Sequence, residues 1–290
     1  MASTVLYGGA VDYDTNWTGR NYVVDSSLLS FLIQPSFAYA VTDWLSLGAG
    51  PAILYTTFTE RVKASLPNLP VEPTLKIDDA DSWDAGGVFS ALVKPFEGTR
   101  IGVTYRTEID AETEGSFESS VDVTPTINTD FTFPQGVNVS LFQKITDTWA
   151  LLADAGWTDW SAFSNIPIQV GPVSGVQERH WRDTWRIAAG VQFTPSEKWT
   201  LQGGFGYDSS PVKSSRLLPD IPTSEQYRFS AGIQIRPKDY LEISASYQFL
   251  WLAGLDFDHV ALPPSGAVVL DGDYDPAYVN QAGVSLRVKF

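Results

Sequence analysis

Apolar and polar residues alternate one for one along most of this 290-residue chain. Near the C-terminus Ala282, Val284, Leu286, Val288 and Phe290 share one parity, and Gln281, Gly283, Ser285, Arg287 and Lys289 hold the other. Upstream, Leu241, Ile243, Ala245, Tyr247, Phe249 and Trp251 oppose Glu242, Ser244, Ser246 and Gln248. Trp199, Leu201, Phe205 and Tyr207 oppose Thr200, Gln202, Gly204 and Gly206 in the same way. Successive side chains of a strand point to opposite faces, so each segment has one apolar and one polar side. Two architectures fit this pattern: a soluble antiparallel sheet with one wet face, or a membrane barrel with a wet lumen.

The connections separate the two. Tight turns are predicted at Val41–Asp43, Lys94–Thr99, Thr146–Thr148, Pro195–Lys198 and Arg236–Asp239. Between them lie long polar loops, near Lys63–Asp81, Asp110–Asp130, Asn165–His180, Ser209–Ser224 and Asp256–Ala277. Strict short–long alternation is the habit of outer-membrane barrels, with tight periplasmic turns and long extracellular loops. Trp44, Trp149, Trp199, Tyr240 and Phe290 stand at strand ends beside the short turns. That is where an aromatic belt meets the membrane–water interface. The reading is an all-β, antiparallel transmembrane barrel of about twelve strands in one domain, residues 1–290. Expected strands include Thr4–Tyr13, Leu28–Ala40, Trp44–Val62, Trp83–Val93, Trp149–Phe163 and Tyr278–Phe290. The terminal alternation closed by Phe290 has the look of a signal for the barrel-assembly machinery.

Composition narrows the choice further. No run of about 18 apolar residues exists, so a helical membrane span is excluded. The mean hydropathy of −0.07 reads as soluble, yet alternating strands cancel in such an average. A formal net charge of −15 argues against nucleic-acid binding, which needs a basic stripe. With no cysteine there is neither a disulfide framework nor a thiolate metal site. No cofactor is expected. The first ten residues carry neither a basic start nor an apolar core, so no signal peptide is read there.

Several stretches resemble a known family. WRDTWRIAAGVQFTPSEKWTLQGGFGYDSSPV (Trp181 to Val212), WTDWSAF (Trp157 to Phe163), DWLSLGAGPAILY (Asp43 to Tyr55) and NWTGRNYVVDSSLL (Asn16 to Leu29) are similar to the FadL/TodX type of outer-membrane long-chain fatty acid transporter. The Tyr-Asp-x-Ser-Pro-Val run at Tyr207–Val212 is the most specific of them. The resemblance implies a barrel of about fourteen strands plugged by an N-terminal hatch. On that template the chain starts near the third strand, with hatch and first strands expected to be missing. The sequence departs from the family at Thr223 and at Thr57, where an acid and a basic residue are usual.

What the resemblance implies about function is passive diffusion of long-chain fatty acids or other hydrophobic molecules such as aromatic hydrocarbons, by a monomeric barrel in outer-membrane lipid. A ligand would leave sideways through a kinked strand near Thr4–Tyr13, where Gly8 and Gly9 allow a bend. Arg182 shares parity with Arg186, opposite the apolar Trp185 and Ile187, and sits where the family places a basic ligand contact. A guanidinium there can take a carboxylate bidentately. Arg61 is a second basic candidate, and Trp181, Phe163 and Phe58 are candidates for an apolar pocket. The other reading is a general porin or a structural or adhesin-type barrel. An enzyme is disfavoured: His180 and His259 lie in or beside loops with acids nearby, but no nucleophile elbow accompanies them.

Overall fold

The computed structural model describes residues 2–63, 72–119, 126–262 and 268–289. It contains nineteen strands: β1 (Ala2–Asp12), β2 (Asp25–Gln34), β3 (Phe37–Ala40), β4 (Leu45–Lys63), β5 (Thr74–Val93), β6 (Thr99–Arg106), β7 (Ile109–Ser119), β8 (Thr126–Phe133), β9 (Gly136–Lys144), β10 (Trp149–Thr158), β11 (Asn165–Val170), β12 (Val173–Glu178), β13 (Thr184–Ser196), β14 (Trp199–Asp208), β15 (Glu225–Lys238), β16 (Leu241–Ala253), β17 (Asp256–Ala261), β18 (Val269–Asp273) and β19 (Tyr278–Val288). All the ladders are antiparallel. One wall runs from β1 through β2, β4, β5, β6, β9, β10, β13, β14, β15 and β16 to β19. Among the described residues β1 pairs only with β2, and β19 only with β16.

The wall follows the alternation closely. On β13, Trp185, Ile187 and Val191 are exposed on the outside, while Arg186 turns to the interior. On β16 and β19 the same holds for Ile243, Tyr247, Trp251, Val284 and Leu286. Trp44, Trp149, Trp199 and Tyr240 are all outward-exposed beside the tight turns, as the belt requires. Phe290 lies outside the described residues. A second aromatic row stands at the far end of the outer band. Tyr55 meets Trp83 at 4.8 Å, Tyr227 meets Trp251 at 5.5 Å and Tyr207 at 5.3 Å, and Trp157 is registered opposite Trp185. Trp199 and Tyr207 are eight steps apart on β14; at ~3.3 Å per residue and a tilt of about 40° that is roughly 20 Å of membrane height.

Three of the expected long loops are instead corrected to hairpins, and a fourth is shortened. Asp110–Asp130 forms most of the β7–β8 hairpin, Asn165–His180 forms β11–β12, and Asp256–Ala277 carries β17–β18. The Lys63–Asp81 loop shrinks because β4 continues to Lys63 and β5 begins at Thr74. These strands do alternate, but with small and polar residues. On β7 and β8 the buried parity is Ile109, Ala111, Thr113, Ile127, Thr129, Phe131 and Phe133. Thr113 Oγ1 donates to the Thr129 carbonyl at 2.7 Å, which satisfies its buried hydroxyl. β8 also pairs with β11, so two hairpins join over the barrel mouth.

Two expected strands are broken. Leu28–Ala40 divides at Pro35 and Ser36, because proline has no N–H for the ladder. The Pro35 carbonyl then presses on β4 at Gly50, leaving no room for a side chain there. Trp149–Phe163 ends as a strand at Thr158; a 3₁₀ turn over Trp160–Ser164 follows and swings Phe163 inward.

Candidate functional site

Inward positions near the hairpin end of the wall are mostly apolar, with the buried hydroxyls of Ser26, Ser30 and Thr56 among them, in contrast to the charged lumen below. Leu28, Leu32, Leu54 and Phe58 from β2 and β4 are buried there. The hairpins close over them with Ile127, Phe131, Phe133 and Ile166, and the segment before β15 adds Val212 and Leu217. Rings pack on one another in a continuous chain here, so the apolar chamber they make is filled by its own side chains. Phe58 meets Phe131 edge-on at 5.1 Å, Phe131 stacks on Phe163 at 5.9 Å, and Phe163 lies 5.0 Å from Trp181. Trp160 stands edge-on to Trp181 at 5.2 Å and to Tyr7 at 5.1 Å; Tyr7 stacks on Phe133 at 5.2 Å. Edge-on and offset contacts at these separations are the favoured aromatic geometries.

Phe58, Phe163 and Trp181 are therefore brought together in one buried cluster, with Phe58 more than a hundred residues from the other two in sequence. Arg182 is placed otherwise. β13 begins at Thr184, so strand parity does not extend back to it. Trp181 takes the inward direction and Arg182 is exposed, its backbone N–H donating to Pro211 and its Nε to the Ser210 carbonyl at 3.3 Å. Arg61 is paired with Asp25 across β2 and β4. Arg20 is likewise paired, with Glu72 at 2.8 Å.

A basic residue that sequence reasoning missed is Arg179. It and Asp220 are almost fully buried and form a two-pronged pair, with Arg179 Nη1 donating to Asp220 Oδ1 at 3.1 Å. The guanidinium also lies 5.8 Å from the Phe163 ring centre. Asp220 sits in an irregular segment with no periodicity to flag it. Gln177 donates to both Tyr22 and Asp220, so the pair ties together segments around Tyr22, Gln177 and Asp220. Glu60 belongs to the same group. Desolvation, reinforced by the Asp220 charge and opposed by Arg179, pushes its carboxyl up to about 8.

The wall strand next to the chamber is irregular. β1 pairs with β2 from Ala2 to Asp12, with one register shift between Val5 and Tyr7. Leu6 is the residue passed over, and it packs on the chamber. Gly8 and Gly9 stay in the regular ladder opposite Leu29 and Leu28. The register shift thus falls two residues before the glycines. A bulge of this kind increases local twist and re-aims side chains, and here it accompanies the inward reach of Tyr7.

Toward the tight turns the lumen becomes polar. An open cavity of about 760 Å³ is lined there by Arg100, Phe142, Asp154, Arg186, Gln202 and Arg228 with small residues between them. Arg186 pairs with Asp154 at 3.0 Å, and Arg228 with Asp208 at 3.1 Å. His180 is exposed, with Nε2 3.3 Å from Arg216 Nη1; the His259 side chain lies outside the described part. No group of three or more metal-ligating side chains occurs among the described residues.

An antiparallel wall with an apolar exterior, two aromatic rows and a polar lumen capped by an apolar chamber defines an outer-membrane β-barrel protein. The chain belongs to the outer membrane protein transport family (OMPP1/FadL/TodX), whose model matches residues 1–286. It is 24% identical to a long-chain fatty acid transport protein of Escherichia coli O6:H1 over 83% of this chain and 60% of the relative. Outer membrane protein P1 of Haemophilus influenzae is 24% identical over 85% of this chain and 61% of its own length. The chain thus spans about three-fifths of these relatives. Among solved structures, a Pseudomonas aeruginosa FadL homologue superposes with a TM-score of 0.85 at 21% identity, covering 98% of this chain and 72% of that one. The Pseudomonas putida toluene transporter TodX follows with a TM-score of 0.69 and 16% identity, covering 99% and 78%.

Proposed function

We propose that this protein is a passive channel carrying hydrophobic small molecules across the outer membrane, with long-chain fatty acids as the first substrate class and aromatic hydrocarbons as the second. The observation that carries the reading is the buried apolar and aromatic cluster between the wall and the hairpins, bordered by the bulged strand β1, whose rings an entering ligand would part and replace as packing partners. An apolar ligand gains by leaving water for such a chamber, and gains again by leaving it sideways into lipid. Family membership points the same way, because relatives are named for transport of fatty acids or toluene.

In this reading Phe58, Phe163 and Trp181 hold the hydrocarbon portion of the ligand. Arg182, exposed just before β13, makes first contact with a carboxylate; Arg61 is a second basic group near the end of β4, with its charge held by Asp25. The protein works as a single barrel, inserted by the assembly machinery through its C-terminal strand. The family's work is transport, and no catalytic step is assigned to His180.

The test is saturable binding of a fluorescent long-chain fatty acid to the detergent-refolded protein, compared with Phe163→Ala and Arg182→Ala. Weaker binding by both variants is expected. Absence of binding, together with steady conductance of small ions in planar bilayers, would move the assignment to a general porin.

A further inference from the structure

Most arginines of the lumen and mouth are neutralised by an acid. Arg186 has Asp154, Arg228 has Asp208, Arg236 and Arg287 share Glu242, and Arg179 has Asp220. β6 is different. Arg100 and Arg106 lie on its inward parity, with Arg100 and Gly102 lining the cavity and Val103 exposed outside. Among the described residues no carboxylate lies within ion-pair distance of either. Arg100 caps the Phe142 ring at 4.0 Å. Arg106 lies 5.7 Å from the Tyr7 ring centre, and its Nη2 donates to the Tyr7 hydroxyl at 3.0 Å. In a chain of net charge −15, a lumen guanidinium left without an acid at the edge of an apolar chamber is a site in search of an anion.

We propose that Arg106 is the inner receptor for the anionic head group of an amphipathic ligand, with the Tyr7 hydroxyl as its placeholder when the site is empty. The proposal rests on the reading of the chamber as a hydrophobic-ligand site. The chemistry favours exchange: a carboxylate accepts two charge-assisted hydrogen bonds from a guanidinium, whereas the neutral phenol accepts one weaker bond. The placement favours it as well. Tyr7 packs against Phe133 and Trp160, so a hydrocarbon tail among those rings brings its head to Arg106. Tyr7 also follows the bulge at Leu6, so releasing its hydroxyl frees the ring that the bulged segment of β1 sends into the chamber. Arg100, six residues along the same face and about 20 Å away by strand rise, offers a second stop toward the tight turns.

The experiment compares two fluorescent probes on the refolded protein: a long-chain fatty acid and its uncharged methyl ester. For Arg106→Ala the acid is expected to bind about tenfold or more weakly, while the ester is unchanged; Arg106→Lys, which keeps the charge but loses the two-pronged fork, falls between. Tyr7→Phe, which removes the competing hydroxyl but keeps the ring, is expected to bind the acid at least as tightly as wild type. Equal loss of both probes in Arg106→Ala would mean a packing role, and loss of neither would mean no role in binding; each overturns the proposal. If wild type binds the ester but not the acid, the chamber reading stands and the head-group site falls. If wild type binds neither probe, the channel reading itself fails.

Discussion

At the residue scale the charge pair under the hairpins dominates the energetics of the mouth. Arg179 and Asp220 are both about as inaccessible as side chains can be, so removing one leaves the other buried and uncompensated. Asp220→Ala is expected to cost about 3–5 kcal/mol, read as a lowered unfolding midpoint in detergent. Replacing both residues by apolar ones of similar volume should recover much of the loss. Glu60 makes the same region sensitive to pH. Between the ordinary carboxylate range and about 8, the folded chain keeps a proton there that the unfolded chain has lost. Stability therefore falls as pH rises through that window and levels off above it. Melting at pH 5.5 and 8.5 should show this difference, and Glu60→Gln should shrink it. None of these three groups stood out in the sequence. Arg179 and Asp220 are 41 residues apart, one just after a strand and the other in an irregular segment. Their pairing is a tertiary fact. The burial of Phe58, Phe163 and Trp181 was legible because each stands at or near the mouth end of an alternating segment, where an inward aromatic has little else to pack on.

At the element scale, alternation of large apolar residues with polar ones was enough to find the wall but not the hairpins above it. β7 runs Ile-Asp-Ala-Glu-Thr-Glu, a period of two whose buried parity includes an alanine and a threonine. Both faces therefore look polar in the sequence. What holds the hairpin is its partner's rings, so Phe131→Ala is expected to destabilise by about 3–5 kcal/mol. Limited proteolysis should then cut first within residues 109–133, while the β13–β16 wall stays protected. The second aromatic row was hidden for another reason: Tyr55 and Trp83 sit mid-strand in β4 and β5, which continue past the membrane, and the other members stand at strand ends that lead into long connections, so no tight turn marks them. β4 and β5 show this most clearly, with 19 and 20 residues where about 9–11 suffice to cross a bilayer. In vesicles made with brominated lipids, bromines at the depth of the headgroups should quench Trp44, Trp149 and Trp199 at one interface and Trp185 and Trp251 at the other. Bromines at the bilayer centre should quench these five less.

For the whole molecule, the two ends of the wall differ from every strand between them. Backbone groups have no partners in hydrocarbon, so a sheet in lipid needs hydrogen bonds on each edge of each strand. β1 and β19 have a described ladder on one side only, and β19 is exposed along its whole length. In the bilayer both edges require strands to meet them. The order of the wall also fixes how the molecule would come apart under load. Pulled by its C-terminal end, β19 breaks its ladder to β16 together with whatever contact its other edge makes, after which β16 becomes the edge held by its ladder to β15, and so on around the wall. The expected force trace is a staircase in which each step releases one strand or hairpin. A molecular tweezer would thus read the topology of this protein aloud, one rung at a time.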